Sequence, residues 1–119
     1  MIFRTLLIST LIAGGCIASA FAAQPYDGRW SVEVITEKGT CDQAYRWDLD
    51  ISSGKVAAGG DMPAQASGSV SAKGAVAMEF SRGADRASAK GSASGKWASG
   101  DWSSASMNCS GRWRAERRA

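Results

Sequence analysis

The chain has 119 residues, enough for one domain, and a formal net charge of +3 that is too small to indicate a nucleic-acid or anionic-membrane partner. It contains no histidine, so the usual general base near neutral pH and the commonest haem ligand are missing. No spacing typical of a zinc, calcium or P-loop site occurs either. The composition therefore argues against an enzyme, a metal site and a bound cofactor.

The first residues have the layout of a secretory signal peptide. Arg4 gives a positive start, residues 6–13 are almost continuously apolar, and small residues lead to an A-x-A cleavage site. We place cleavage after Ala22, with neighbouring alanines as alternative sites, so that 1–22 is the signal peptide and 23–119 the mature domain. The apolar run is too short to span a bilayer. We expect a periplasmic or secreted product.

Cys16 suggests a different kind of leader. The run Ala13-Gly14-Gly15-Cys16 resembles a lipobox, in which the cysteine would be acylated, but Ala13 stands where leucine is usual. The A-x-A site also lies further along, in chain that is still apolar. We therefore favour a soluble product over a lipoprotein.

Alternating apolar and polar residues predict strands throughout the mature domain, as in Trp30, Val32 and Val34. No apolar set repeats at the helical period. The predicted strands cover 28–36, 43–51, 55–59, 65–72, 75–81, 85–92, 97–103 and 109–116. Eight short strands joined by tight turns predict an all-β, antiparallel up-and-down meander that closes into a small barrel. A two-sheet sandwich is the alternative.

Two cysteines remain in the mature domain, and an even number in an exported chain predicts a disulfide. Cys41 follows the first predicted strand and Cys109 opens the last. In an up-and-down meander the connections after strands 1 and 7 lie at the same end, and strands 1 and 8 are neighbours only if the barrel closes. A Cys41–Cys109 bond therefore supports closure and spans a loop of about 70 residues.

A Ser-Gly-x-Trp motif repeats at 94–97, 99–102 and 110–113. Its glycine either lets the chain bend or lets an indole ring lie over the backbone. We expect the barrel to be filled by the tryptophans Trp30, Trp47 and Trp113.

Trp97 and Trp102 are flanked by small or charged residues, and we interpret them as part of an exposed binding surface. Residues five apart face opposite sides of a regular strand. A bulge at Gly100 or a turn at Trp97 would bring both to one side. The complete candidate surface is Trp97, Trp102, Asp61, Arg82 and Asp85, with contact loops near 37–43, 60–65, 82–85 and 103–108.

Strands 4 to 6 carry small residues on their predicted inward face: Ala66, Gly68, Val70, Ala72, Ala87, Ala89 and Gly91. Tryptophan rings from the opposite wall could cross this space and pack it. Alternatively, a small cleft with aromatic walls would remain, the usual form of a ligand site. We favour the packed interior because eight short strands enclose little space.

The carboxylates Asp48 and Asp50 lie two apart on one strand and so share a face. They could serve acid–base chemistry or hold a hard cation, but we interpret them as a solvated outer face. The arginine cluster Arg112, Arg114, Arg117 and Arg118 has the same interpretation, as a solvated basic chain end.

The start of the first strand, Gly28-Arg29-Trp30, resembles that of the calycins, the lipocalin and avidin-like barrels. In those proteins an arginine from the end of the last strand packs across the tryptophan. The resemblance implies that Gly28, Trp30 and Arg117 close the barrel, with Arg117 stacked beneath Trp30. A longer resemblance, through residues 26–32, 39–42, 81–83 and 109–113, is to small exported proteins of α-proteobacteria with no established activity.

These features predict an exported, monomeric, non-enzymatic binding module for an unknown small ligand or a secreted or periplasmic protein. One alternative is an inhibitor of a secreted hydrolase, such as a protease or a lysozyme, by analogy of fold. A structural envelope protein is the other alternative.

Overall fold

The computed structural model describes residues 24–60 and 62–119, so the predicted signal peptide, Cys16 and Asp61 lie outside it. All regular structure in these residues is β-strand, and each strand lies within two residues of its predicted bounds. No helix there has the length and apolar character needed to cross a membrane. The strands are β1 (Gly28–Lys38), β2 (Ala44–Ser52), β3 (Lys55–Ala58), β4 (Gln65–Val70), β5 (Ala75–Arg82), β6 (Asp85–Ser94), β7 (Trp97–Ser104) and β8 (Cys109–Arg117).

The eight described strands form a closed antiparallel barrel in chain order, which confirms the predicted fold and excludes the sandwich. β1 pairs with β2 on one side and with β8 on the other. The closing ladder runs from Trp30 opposite Arg117 to Lys38 opposite Ser110. A single shift in register interrupts it near Thr36. Closure leaves neither β1 nor β8 as an exposed sheet edge.

The predicted disulfide joins Cys41, in the loop after β1, to Cys109, the first residue of β8. Their Cα atoms are 6.2 Å apart, an ordinary separation for a disulfide. We call this end of the barrel the mouth; its loops are 39–43, 59–64, 83–84 and 105–108. The opposite end, with the β2–β3, β4–β5 and β6–β7 turns, is the base.

The base half of the interior is packed. Large aliphatic side chains from β2 to β5 meet Trp30 there, and only about 20 Å³ of space remains among them. The buried residues of this half are Trp30, Leu49, Ile51, Val56, Val70, Val76, Ala93 and Ala115. Burial of this apolar surface is the main stabilising contribution to the sheet.

Ion pairs cross the outer face of β8, β1 and β2. Glu33 on β1 accepts from Arg114 on β8, at 2.6 Å, and lies 3.6 Å from Arg46 on β2, so one carboxylate joins three strands. Arg112 pairs with Glu37 in the same way. Arg112 and Arg114 of β8 are therefore solvent-facing, as predicted, whereas Arg117 stacks on Trp30. Each such exposed ion pair adds only a little stability.

Candidate ligand-binding cavity

A cavity of about 440 Å³ occupies the mouth half of the barrel, within the usual range for small-molecule sites. Its wall is mostly apolar and combines residues of β1, β2 and β5–β8. The wall residues are Val32, Val34, Tyr45, Trp47, Met78, Phe80, Ala87, Ala89, Trp102 and Trp113. The favoured prediction of a packed interior is therefore wrong for this half of the molecule.

The interior stays open because the indole groups of two tryptophans are each held to a backbone carbonyl two strands away in the barrel. The Trp102 indole N–H donates to the carbonyl of Ile35 at 2.9 Å. The Trp113 indole N–H donates to the carbonyl of Lys90 at 3.2 Å. A buried indole N–H needs such a partner, so these bonds fix where each ring lies. Beside them, β6 contributes the small side chains of Ala87 and Ala89 to the wall, and Ala89 is the cross-strand partner of Trp102.

The repeated Ser-Gly-x-Trp motif has a structural cause on β7 and β8. These strands pair so that Trp102 lies opposite Gly111 and Trp113 lies opposite Gly100. A side chain on Gly100 would overlap the Lys90 carbonyl, which is the acceptor for the Trp113 indole. The motif therefore places a glycine beside each inward tryptophan, where the backbone is too close for any side chain. The β6–β7 and β7–β8 registers are unbroken at Gly100, so no bulge exists there.

The two tryptophans predicted for an exposed surface face opposite sides of β7. Trp102 is only 5% exposed and lines the cavity, so the prediction that it lies on the surface is wrong. Trp97 is 56% exposed, as predicted, beside the Lys96 ammonium, 5.5 Å from its ring centroid. Because Trp97 follows the β6–β7 turn at the base, it lies away from the cavity.

An aromatic row forms one part of the cavity wall. The rings of Tyr45 and Trp47 have centroids 5.0 Å apart, and those of Trp47 and Phe80 are 5.8 Å apart. Burial, together with the nearby charge of Asp42, raises the pKa of the Tyr45 phenol. The hydroxyl therefore stays neutral at physiological pH and can donate or accept a hydrogen bond near the mouth.

Polar and charged residues surround the opening. The predicted pair Arg82 and Asp85 lies there, on either side of the β5–β6 turn, and Arg86 follows on β6. Thr40 and Asp42 belong to the rim as well. The structure thus brings Arg82, Asp85 and Trp102 to one cavity.

Sequence reasoning missed the rim residue Arg86 and the aromatic row. The alternation of Tyr45 and Trp47 along β2 placed both rings inside, but Trp47 was interpreted as core filling. The position of Trp47 could have identified it as part of a cavity wall. Inward-facing residues in the half of the barrel nearer the disulfide are the ones that line the cavity.

Gly28, Trp30 and Arg117, the three residues named from the calycin resemblance, lie together at the base. The Arg117 guanidinium lies 5.7 Å from the centre of the Trp30 ring and donates to the carbonyl of Pro25 at 2.7 Å. Gly28 has a φ of 136°, and a side chain there would overlap the carbonyl of Ala119. These contacts join the start of β1, the end of β8 and the segment before β1 at the packed base.

The carboxylate of Asp50 on the outer face is paired with an arginine. Asp50 accepts from Arg29 at 3.1 Å on the solvent side of β1 and β2. Within residues 24–60 and 62–119, no three metal-ligating side chains cluster. The cavity wall supplies mainly aromatic rings, methyl groups and a thioether.

No protein-family model, curated protein or solved structure matches this chain. The two resemblances drawn from the sequence therefore stay predictions. The site has to be interpreted from its own geometry.

Proposed function

We propose that the protein binds a small, mainly apolar molecule in the mouth cavity without transforming it. The observation that carries this proposal is the cavity itself: about 440 Å³, walled by aromatic and aliphatic side chains and open at one end. Concave apolar sites with a few polar groups at their edge are the usual form of small-molecule sites.

The character of the wall indicates the ligand's character. Displacing water from apolar surface contributes about 25 cal/mol for each Å² buried, so an apolar body is favoured over a polar one. The row Tyr45, Trp47 and Phe80 offers ring faces and edges to a planar group. Met78 can adapt to different ligand shapes because its side chain is flexible and polarisable.

We place this binding outside the cytoplasm, in the periplasm or the exterior. The Cys41–Cys109 disulfide is consistent with an oxidising compartment. The signal-peptide pattern of residues 1–22 supports the same location.

A small ligand is favoured over a hydrolase partner by the distribution of exposed aromatics. In the described part of the chain, Trp97 at the base is the one large apolar side chain that is well exposed. The mouth loops there therefore offer no exposed aromatic anchor of the kind that dominates protein interfaces. The aromatic rings at this end face the cavity.

The experiment uses the neutral fluorescent probe N-phenyl-1-naphthylamine and the mature protein, residues 23–119. We expect saturable binding with one site per chain and an accompanying change in tryptophan emission, since Trp102 and Trp113 line the cavity. Ala87→Phe fills the cavity from β6 and should abolish binding. The control Ala77→Phe makes the same change on the exposed face of β5 and should bind normally.

Near-ultraviolet circular dichroism checks that both variants keep their native packing. Absence of saturable binding by the folded wild-type protein would overturn the proposal. So would a folded Ala87→Phe variant that binds the probe as well as the wild type does.

A further inference from the structure

Arg82 and Arg86 lie where the cavity meets a second, shallower groove. Both residues line the cavity at its opening, and both line the groove between the β3–β4 loop and the β5–β6 turn. Their backbones flank that turn, with Ser81 opposite Arg86 and Arg82 opposite Asp85. A molecule leaving the cavity on this side would pass the two guanidinium groups.

These two arginines differ from the others in the described part of the chain. Arg29, Arg46, Arg112, Arg114 and Arg118 each pair with a carboxylate. Arg117 donates to backbone carbonyls and stacks on Trp30. Among residues 24–60 and 62–119, no carboxylate lies within 4.0 Å of a guanidinium nitrogen of Arg82 or Arg86. No described residue therefore takes up their side-chain N–H donors, which can bind a ligand.

The acids at the rim are placed so that the groove side remains basic. Asp42 belongs to the β1–β2 loop, which a closed eight-stranded order sets across the mouth from β5 and β6. Asp85 lines the cavity but does not line the groove. The described residues of the groove include both arginines and no carboxylate. Guanidinium groups bind carboxylate, sulfonate and phosphate oxygens through paired hydrogen bonds.

We propose that the ligand is a small amphipathic anion, with its apolar body in the cavity and its acidic head beside Arg82 and Arg86. This inference rests on the proposed function, since it assigns the head group to a molecule whose body the cavity holds. The juxtaposition that carries it is an apolar, aromatic-walled cavity opening onto two arginines that lack partners in the described chain.

The test compares two probes that share one aromatic body. 1-Anilinonaphthalene-8-sulfonate carries an anionic head, and N-phenyl-1-naphthylamine lacks it. We expect the double variant Arg82→Gln/Arg86→Gln to weaken binding of the sulfonate about tenfold and to leave the neutral probe unchanged. Added salt should weaken binding of the sulfonate alone, because the head group and the arginines are near solvent.

The matched control is Lys55→Gln/Lys73→Gln, which removes the same charge at the base, away from the cavity and the groove. Both positions are exposed, and this variant should bind both probes as the wild type does. Equal weakening of both probes in the arginine variant would overturn the head-group assignment, as would unchanged binding of the sulfonate. If the folded wild-type protein binds neither probe, the proposed function itself fails, and that result is distinct from either of the others.

Discussion

The carboxylate of Asp27 joins two segments at the base. It accepts hydrogen bonds from the backbone N–H groups of Ser53 at 2.8 Å, Gly54 at 2.9 Å and Gln24 at 3.1 Å. Partial burial raises the pKa of Asp27, but the three donors together lower it further, so its pKa lies below the usual value. The same contacts stabilise the β2–β3 turn, where Ser53 adopts a φ of 53° that is unfavourable for a residue with a side chain.

Replacing Asp27 by Asn should reveal this charge as a pH-dependent stability. A depressed pKa means that the carboxylate stabilises the fold above its unfolded pKa of about 3.9 and loses that effect as the pH falls through the lower folded pKa. We expect Asp27→Asn to cost about 1 kcal/mol at pH 7 and progressively less below pH 4. Thermal unfolding across this pH range measures it. Asp101→Asn, on the exposed face of β7, is the control, and a pH-independent loss for Asp27→Asn would contradict the assignment.

At the scale of strands, alternation was enough to find most elements but not to orient β7. On β1 and β2 the inward residues are large, so their period of two is plain in the sequence. On β7 the inward residues before Trp102 are Ala98 and Gly100, which are too small to show an apolar face. Because Trp97 faces outward, the sequence pattern of β7 gave no indication that Trp102 faces inward. The orientation of Trp102 therefore depended on the register with Gly111, which the sequence alone does not specify.

The pairing of β7 with β8 predicts that Gly100 tolerates no side chain. In Gly100→Ala the new methyl would overlap the Lys90 carbonyl and disturb the acceptor of the Trp113 indole. We expect a loss of about 1–3 kcal/mol, as for overpacking elsewhere, with a changed near-ultraviolet spectrum. Chemical denaturation of this variant beside Ser99→Ala, an exposed neighbour on the same strand, tests it. A Gly100→Ala variant as stable as Ser99→Ala would contradict the packing described.

For the whole molecule, the strand pattern together with the cysteine positions predicted a closed barrel, but the hollow interior was not predictable. Small residues at Ala87 and Ala89 were visible in the sequence and allowed either outcome. The deciding contacts are the indole hydrogen bonds to Ile35 and Lys90, which join residues far apart in the chain. Of the predicted binding surface, the candidate site therefore contains the rim residues Arg82 and Asp85 and the wall residue Trp102.

Removing the disulfide should destabilise the barrel without opening it. The bond closes a loop of about 70 residues, for which the chain-entropy estimate is about 4 kcal/mol. The β1–β8 ladder, from Trp30 to Lys38, closes the sheet independently. We expect Cys41→Ser/Cys109→Ser to fold with a free energy of unfolding lowered by about 2–4 kcal/mol, measured by urea denaturation. A stability equal to that of the oxidised wild type would show that the bond constrains little.

Because the base half of the barrel is packed around Trp30, beneath which Arg117 lies, the cavity opens only at the mouth in the described part of the chain. A ligand that enters the cavity has to leave through the mouth as well, and the part of the ligand that enters last stays nearest the mouth. A ligand larger than the cavity could still bind by inserting one apolar group, while the rest of the ligand remains in solvent. Whether such a ligand binds would then depend less on its total size than on the shape of the apolar group that it inserts.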